Sequence, residues 1–89
     1  MSTYDQDRVE FCTRLLADAA TAAGLPLSGD MRVSESDAAT LLGLHPGSLK
    51  NLRSEGCGPV AYRTPMNGSR WSYRLLDLAR WIEERRESC

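Results

Sequence analysis

Apolar and polar positions in the first quarter of the chain follow a helical period. From Tyr4 to Ala23, apolar side chains fall on one half of a helix, and charged and hydroxyl side chains fall on the other half. Gly24 and Pro26 then stop the pattern, and GLPLSGD is typical of a linker. The apolar half contains Val9, Phe11, Cys12, Leu15, Leu16, Ala19, Ala20 and Ala23. A face this wide is expected either to pack on the rest of its domain or to pair two subunits.

A short strand and a short helix follow the linker. Met31-Arg32-Val33 has the composition of a strand, and Ser34 is a suitable N-cap for a helix from about Glu35 to Leu42. Gly43 ends this helix because glycine tolerates a positive φ. The alanine pair Ala38-Ala39 provides small side chains where a second helix can cross the first.

The second helix begins at Pro46, which is suited to the first position of a helix, and ends at Gly56. Leu49 and Leu52 are expected to face inward. Two short helices joined by Gly43-Leu44-His45 are typical of the helix-turn-helix of DNA-binding proteins, although ordinary αα-hairpins share parts of this pattern.

A hairpin and a last helix complete the pattern. Val60–Arg63 and Arg70–Tyr73 are β-prone, and Asn67-Gly68 between them provides residues that tolerate a tight turn. The last helix is expected from about Leu76 to Arg86, with an inner face made by Leu78, Trp81 and Ile82.

These elements predict a mainly α fold with a small β-hairpin: a winged helix-turn-helix preceded by an extra N-terminal α-helix. Residues 1–29 would form the N-terminal amphipathic helix and linker, and residues 30–89 the winged helix-turn-helix DNA-binding domain. A length of 89 residues suits one modest core.

The overall net charge of −1 hides a split in sign along the chain. Residues 1–30 carry two basic and five acidic side chains, a net charge of −3, whereas residues 31–82 carry seven basic and four acidic ones, a net charge of +3. A split of this kind favours binding to a polyanion.

Other classes of protein are poorly supported. No apolar run approaches the roughly 18 residues of a membrane span, and the acidic N-terminus is unlike a signal peptide, so a cytoplasmic location is expected. Three scattered cysteines have no zinc or disulfide spacing, and the lone His45 is expected to cap a helix. We therefore expect no enzyme activity, no metal and no cofactor.

Two stretches resemble the small winged helix-turn-helix proteins of the MerR-like superfamily, which include phage excisionases and AlpA-type regulators. They are RVSESDAATLLGLHPGSLKNLRSEGCGPVAYR and NGSRWSYRLLDLARWI. Within the second stretch, the family's closing signature is matched by Tyr73, Arg74, Asp77, Leu78 and Trp81. The resemblance implies a phage- or plasmid-type transcriptional regulator or an excisionase, partnered by RNA polymerase or by an integrase.

The leading hypothesis is sequence-specific binding of double-stranded DNA, with the second helix of the pair in the major groove. Base edges would be contacted by Ser48, Lys50, Asn51 and Ser54. Phosphates would be contacted by Arg53 and by the wing residues Arg63, Arg70 and Arg74. The N-terminal helix would join a homodimer or cooperative neighbouring copies, with Leu16 at the centre of the pairing face. The alternatives are a protein-interaction winged helix and the DNA-recognition module of a small terminase subunit.

Overall fold

Helices form most of the molecule, and a small antiparallel sheet lies among them. The structure is a computed structural model that describes residues 3–64 and 70–85. Its helices are α1 (Thr3–Ala22), α2 (Glu35–Leu42), α3 (Pro46–Glu55) and α4 (Leu75–Glu84), and its strands are β1 (Arg32–Ser34), β2 (Tyr62–Thr64) and β3 (Arg70–Arg74). The predicted mainly helical class with a small β element is confirmed.

The paired helices α2 and α3 have the boundaries that local signals predict. The Ser34 hydroxyl accepts a hydrogen bond from the Asp37 amide at 3.1 Å and caps α2, which ends at Gly43 with φ 74°. The imidazole Nδ1 of His45 accepts a hydrogen bond from the Gly47 amide at 3.1 Å and caps α3. The predicted capping role of His45 is therefore confirmed.

Strand β3 lies at the centre of the sheet, in the order β1-β3-β2, and pairs antiparallel with both neighbours. Val33 lies opposite Tyr73, and both are buried against the helices, whereas Tyr62 lies opposite Ser72 on the other face. Because side chains alternate between the two faces of a strand, Trp71 shares the inner face with Tyr73, and Arg70 and Arg74 share the outer face with Ser72.

The predicted ends of the strands and of the last helix need correction. The strand expected at Val60–Arg63 begins two residues later, and Val60 lies in the preceding connection with 58% of its surface exposed. Met31 has a φ of 64° and precedes β1 instead of opening it. Helix α4 begins at Leu75, directly after β3. The predicted Asn67-Gly68 turn lies outside the described residues.

Helix α1 packs against α4. As a result, one part of the wide apolar face of α1 is buried and another part stays exposed. Val9, Cys12, Leu16 and Ala20 are buried, and the first three belong to one core cluster with residues of β1, α2, α3, β3 and α4. Leu16 is only 7% exposed, so the prediction that it lies at the centre of a pairing face is wrong. Helix α1 and the elements β1, α2, α3, β3 and α4 thus share one hydrophobic core.

The inner face of α4 differs from the prediction in one respect. Leu75, Leu78 and Ala79 are fully buried, and Ile82 packs at the edge of the core. Trp81 is only half-buried because its indole turns toward the connection that follows α3.

Candidate nucleic-acid interface

The outer face of α3 carries four exposed polar side chains, at the positions that the sequence predicts. Leu49 is fully buried beneath the helix and fixes which side faces the core. With 3.6 residues per turn, Asn51 and Ser54 lie opposite Leu49, and Ser48 and Lys50 lie on the two flanks. The set of Ser48, Lys50, Asn51 and Ser54 is exposed and lies together on one helix face.

Arg53 lies apart from that exposed face, in an ion pair that joins α3 to the start of α2. Its Nε and Nη2 donate to the two carboxylate oxygens of Glu35 at 2.6 and 3.2 Å, and its side chain is 18% exposed. The Tyr73 hydroxyl donates to the same carboxylate at 2.7 Å. This Glu35–Arg53–Tyr73 cluster fixes the position of α3 against both α2 and β3.

The electrostatics of the Glu35–Arg53–Tyr73 cluster follow from these bonds. The hydrogen bond from Arg53, aided by the one from Tyr73, holds the pKa of Glu35 below its usual range, although partial burial opposes the shift. Burial, together with the hydrogen bond to Glu35, raises the pKa of Tyr73. Glu35 is therefore an anion and Tyr73 a neutral donor at neutral pH.

Trp71 connects the Glu35–Arg53–Tyr73 cluster to the hairpin of β2 and β3. The guanidinium carbon of Arg53 lies 4.3 Å from the centre of a Trp71 ring, within the range of a cation–π contact. Arg63, the cross-strand partner of Trp71, places its guanidinium 6.0 Å from the same ring system. Arg63 is exposed and shares the sheet face that turns toward α3.

The other two predicted wing residues, Arg70 and Arg74, lie on the opposite face of the sheet from Arg63. Arg70 is exposed at the start of β3. Arg74 donates from Nη2 to Asp30 at 3.2 Å, and its guanidinium lies 5.1 Å from the centre of the Tyr62 ring. The structure thus brings Arg63 near α3 and places Arg70 and Arg74 on a second surface.

Asp30 organises the basic residues of that second surface. Its carboxylate accepts hydrogen bonds from Arg32 Nε at 2.8 Å, from the Ser28 hydroxyl at 2.6 Å and from Arg74. The bonds from Arg32 and Ser28 hold the pKa of Asp30 well below its usual range. Because Asp30 neutralises part of the charge, this surface offers less free positive charge than its arginines suggest.

The connection after α3 is tied to α4 through one carbonyl. The Cys57 carbonyl accepts hydrogen bonds from Trp81 Nε1 at 3.0 Å and from Arg85 Nη2 at 2.7 Å, and Arg85 also stacks on Trp81 at 4.1 Å. The Tyr62 hydroxyl, at the start of β2, donates to the buried Asp77 at 2.9 Å. Helix α4 therefore supports both ends of the connection between α3 and the hairpin.

The sequence of this region is strongly basic. Residues 46–74 contain one acidic side chain, Glu55, and five basic ones: Lys50, Arg53, Arg63, Arg70 and Arg74. The exposed basic residues of this stretch, which a polyanion could reach, are Lys50 on α3 and Arg63 and Arg70 on the hairpin.

Neither a metal site nor a membrane span is found in residues 3–64 and 70–85. No group of three or more His, Cys, Asp or Glu side chains there is arranged to hold a metal ion, and no helix in those ranges combines the length and hydropathy needed to cross a bilayer. Cys12 is buried, and burial raises the pKa of its thiol, whereas Cys57 is exposed.

Comparison with protein-family models, curated proteins and solved structures finds no match to this chain. The family resemblance of the sequence motifs therefore stays a prediction.

Proposed function

We propose that α2, the turn and α3 form a helix-turn-helix, that β2 and β3 form its wing, and that the protein binds double-stranded DNA with α3 in the major groove. The observation that carries this proposal is the exposed polar face of α3, which a buried leucine and the Glu35–Arg53–Tyr73 cluster hold in a fixed orientation. A recognition helix needs both features, because base edges are read by side chains held in place on a rigid element.

The residue types on that face suit base readout. Lysine pairs with the O6 and N7 acceptors of guanine, asparagine pairs with the N6 and N7 of adenine, and serine accepts or donates to either. We assign Lys50 and Asn51 to base discrimination, with Ser48 and Ser54 as flanking contacts.

Phosphate contacts are assigned to the exposed hairpin residues Arg63 and Arg70. Such contacts position a protein on the duplex without reading its sequence. The sequence also predicts phosphate contacts for Arg53 and Arg74. Both are less exposed than Arg63 and Arg70, and each is paired with a carboxylate, Glu35 or Asp30. We therefore assign Arg53 to holding α3 in position and Arg74 to supporting the sheet.

The biological role that best fits this chemistry is that of a transcriptional regulator or an excisionase. A regulator would occupy a site that overlaps a promoter, whereas an excisionase would occupy sites beside the attachment site of an integrase. The location of the bound sequence in the genome that encodes the chain distinguishes the two roles.

Selection from a library of random DNA duplexes tests the proposal directly. The full-length protein is expected to enrich one sequence, and fluorescence anisotropy should then show tighter binding to that duplex than to a scrambled one. The double variant Lys50→Ala/Asn51→Ala should lose the preference for the selected duplex. The matched control is Gln6→Ala, at an exposed position on α1, which should keep that preference. A selection that enriches nothing, or a double variant that enriches the same sequence, would overturn the proposal.

A further inference from the structure

One stripe of α1 stays exposed although it is apolar. Phe11 and Leu15 are 60% and 52% exposed, and Ala19 and Ala22, farther along the helix, are also exposed. These four residues, spaced at i, i+4, i+8 and i+11, lie on one side of a helix over about three turns. We call them the α1 ridge.

The α1 ridge is separate from the stripe of α1 that completes the core. The inner stripe, which includes Leu16 and Ala20, is buried against the same chain. Neighbouring exposed apolar side chains at helical spacing are typical of a surface that another helix covers.

The charges beside the ridge indicate what covers it. Asp7, Arg14 and Asp18 are exposed along one flank of the ridge. If a second copy packed in parallel, the two-fold axis would run along the helices, so these flanks would lie on opposite sides of the pair and their charges would not meet. In an antiparallel pair whose two-fold axis passes near residue 16 of both helices, Arg14 of each copy lies opposite Asp18 of the other copy. The pair therefore contains this contact between opposite charges twice.

The sizes of the ridge residues favour the same arrangement. In the antiparallel register, Phe11 lies over the gap between Ala19 and Ala22 of the second copy, where small side chains leave room for an aromatic ring. Leu15 meets the equivalent leucine near the two-fold axis. Large residues face small ones, and opposite charges face each other, which is what a self-complementary interface requires.

We propose that the α1 ridge binds the α1 ridge of a second copy of this chain in an antiparallel, two-fold symmetric contact. Specific, stable protein–protein interfaces bury at least roughly 1,200 Å² of total surface. A contact over three helical turns buries less than this, so the dimer is weak in free solution. On DNA that holds two copies side by side, the high effective concentration strengthens the same contact. The contact itself does not depend on DNA binding, so its test is independent of the proposed function.

Sedimentation equilibrium of the full-length protein over a wide concentration range tests this contact. The wild type is expected to show reversible monomer–dimer exchange, and Phe11→Gln with Leu15→Gln is expected to stay monomeric with an unchanged thermal melt. Val60→Gln, at an exposed apolar position outside α1, should dimerise like the wild type.

Charge exchange tests the antiparallel register. Arg14→Asp alone and Asp18→Arg alone should each weaken the dimer by about 3- to 10-fold, and the double variant should restore it. A wild type that is monomeric at every concentration, a ridge variant that still dimerises, or a double variant weaker than both single ones would overturn the proposal.

Discussion

Arg53 and Glu35 form a two-point ion pair across 18 residues of sequence, with donor–acceptor distances of 2.6 and 3.2 Å. The pair joins the C-terminal half of α3 to the first turn of α2, and Tyr73 extends it to the sheet. Because both partners are largely shielded from water, the geometry of this contact decides how α3 is presented on the surface.

Glu35→Gln tests the contribution of this pair to stability. Loss of the charge-assisted hydrogen bonds is expected to lower the free energy of unfolding at neutral pH by about 1–3 kcal/mol. The pKa of Glu35 is lower in the folded state than in the unfolded state, so its contribution is fully present above the unfolded pKa and is lost as the pH falls through the folded pKa.

Urea unfolding at about pH 7 and about pH 3 measures this effect. The difference in stability between the wild type and Glu35→Gln should shrink on acidification. An equal difference at both pH values would show that the charge on Glu35 does not contribute.

Arg53→Gln distinguishes a positioning role from a phosphate contact. A residue that only holds α3 should lower DNA affinity when it is replaced, without changing the slope of log affinity against log salt concentration. Anisotropy titrations at several salt concentrations give this slope. A slope reduced by about one unit would show that Arg53 does reach the DNA backbone.

Arg63→Gln and Arg70→Gln should behave in the opposite way. Both arginines are exposed on the hairpin, and removal of an arginine that binds a phosphate weakens binding to all sequences alike. We expect each substitution to reduce the salt slope by about one unit in the same titrations. Unchanged slopes for both variants would remove the hairpin from the interface.

Lys50→Ala and Asn51→Ala should each affect sequence preference. Each change is expected to cost about 1–3 kcal/mol on the preferred duplex and to relax preference at one base pair. Competition with duplexes that carry single substitutions identifies that base pair. Equal reductions in affinity for preferred and scrambled duplexes would instead indicate phosphate contacts.

Leu16→Ala and Leu15→Ala form a matched pair at neighbouring positions of α1. Leu16 is 7% exposed and Leu15 is 52% exposed, so the cavity created at position 16 should lower the free energy of unfolding by about 2–4 kcal/mol. The change at position 15 should cost less than about 1 kcal/mol. Urea unfolding of dilute samples, where the chain is monomeric, measures both; equal reductions in stability would contradict the burial of Leu16.

The α2–α3 unit could be predicted from sequence because its boundaries depend on local chemistry. The Ser34 cap, the positive φ of Gly43 and the proline at the start of α3 each act within a few residues. The exposed face of α3 was predictable for the same reason, since Leu49 and the helical period determine which side chains face outward.

Contacts between distant segments account for what the sequence could not predict. The Cys57 carbonyl is held by Trp81 and Arg85, a contact with a distant segment that β-propensity does not report. Strand β2 begins two residues later than that propensity indicates. Helical periodicity shows that α1 is amphipathic, but only packing on α4 shows that Leu16 is inside and Leu15 outside. The ion pair of Arg53 with Glu35 is likewise set by the crossing of α2 and α3.

Mapping of amide chemical shifts by NMR tests whether α3 is the part of the protein that contacts DNA. A duplex that carries one copy of the selected site is added to the full-length protein, and the perturbed amides are placed on the structure. We expect the largest changes in α3 around Lys50 and Asn51, with smaller ones at Arg63 and Arg70 and none along the α1 ridge. Changes confined to α1 and α4, or no changes at all, would contradict the assignment of α3 as a DNA-recognition helix.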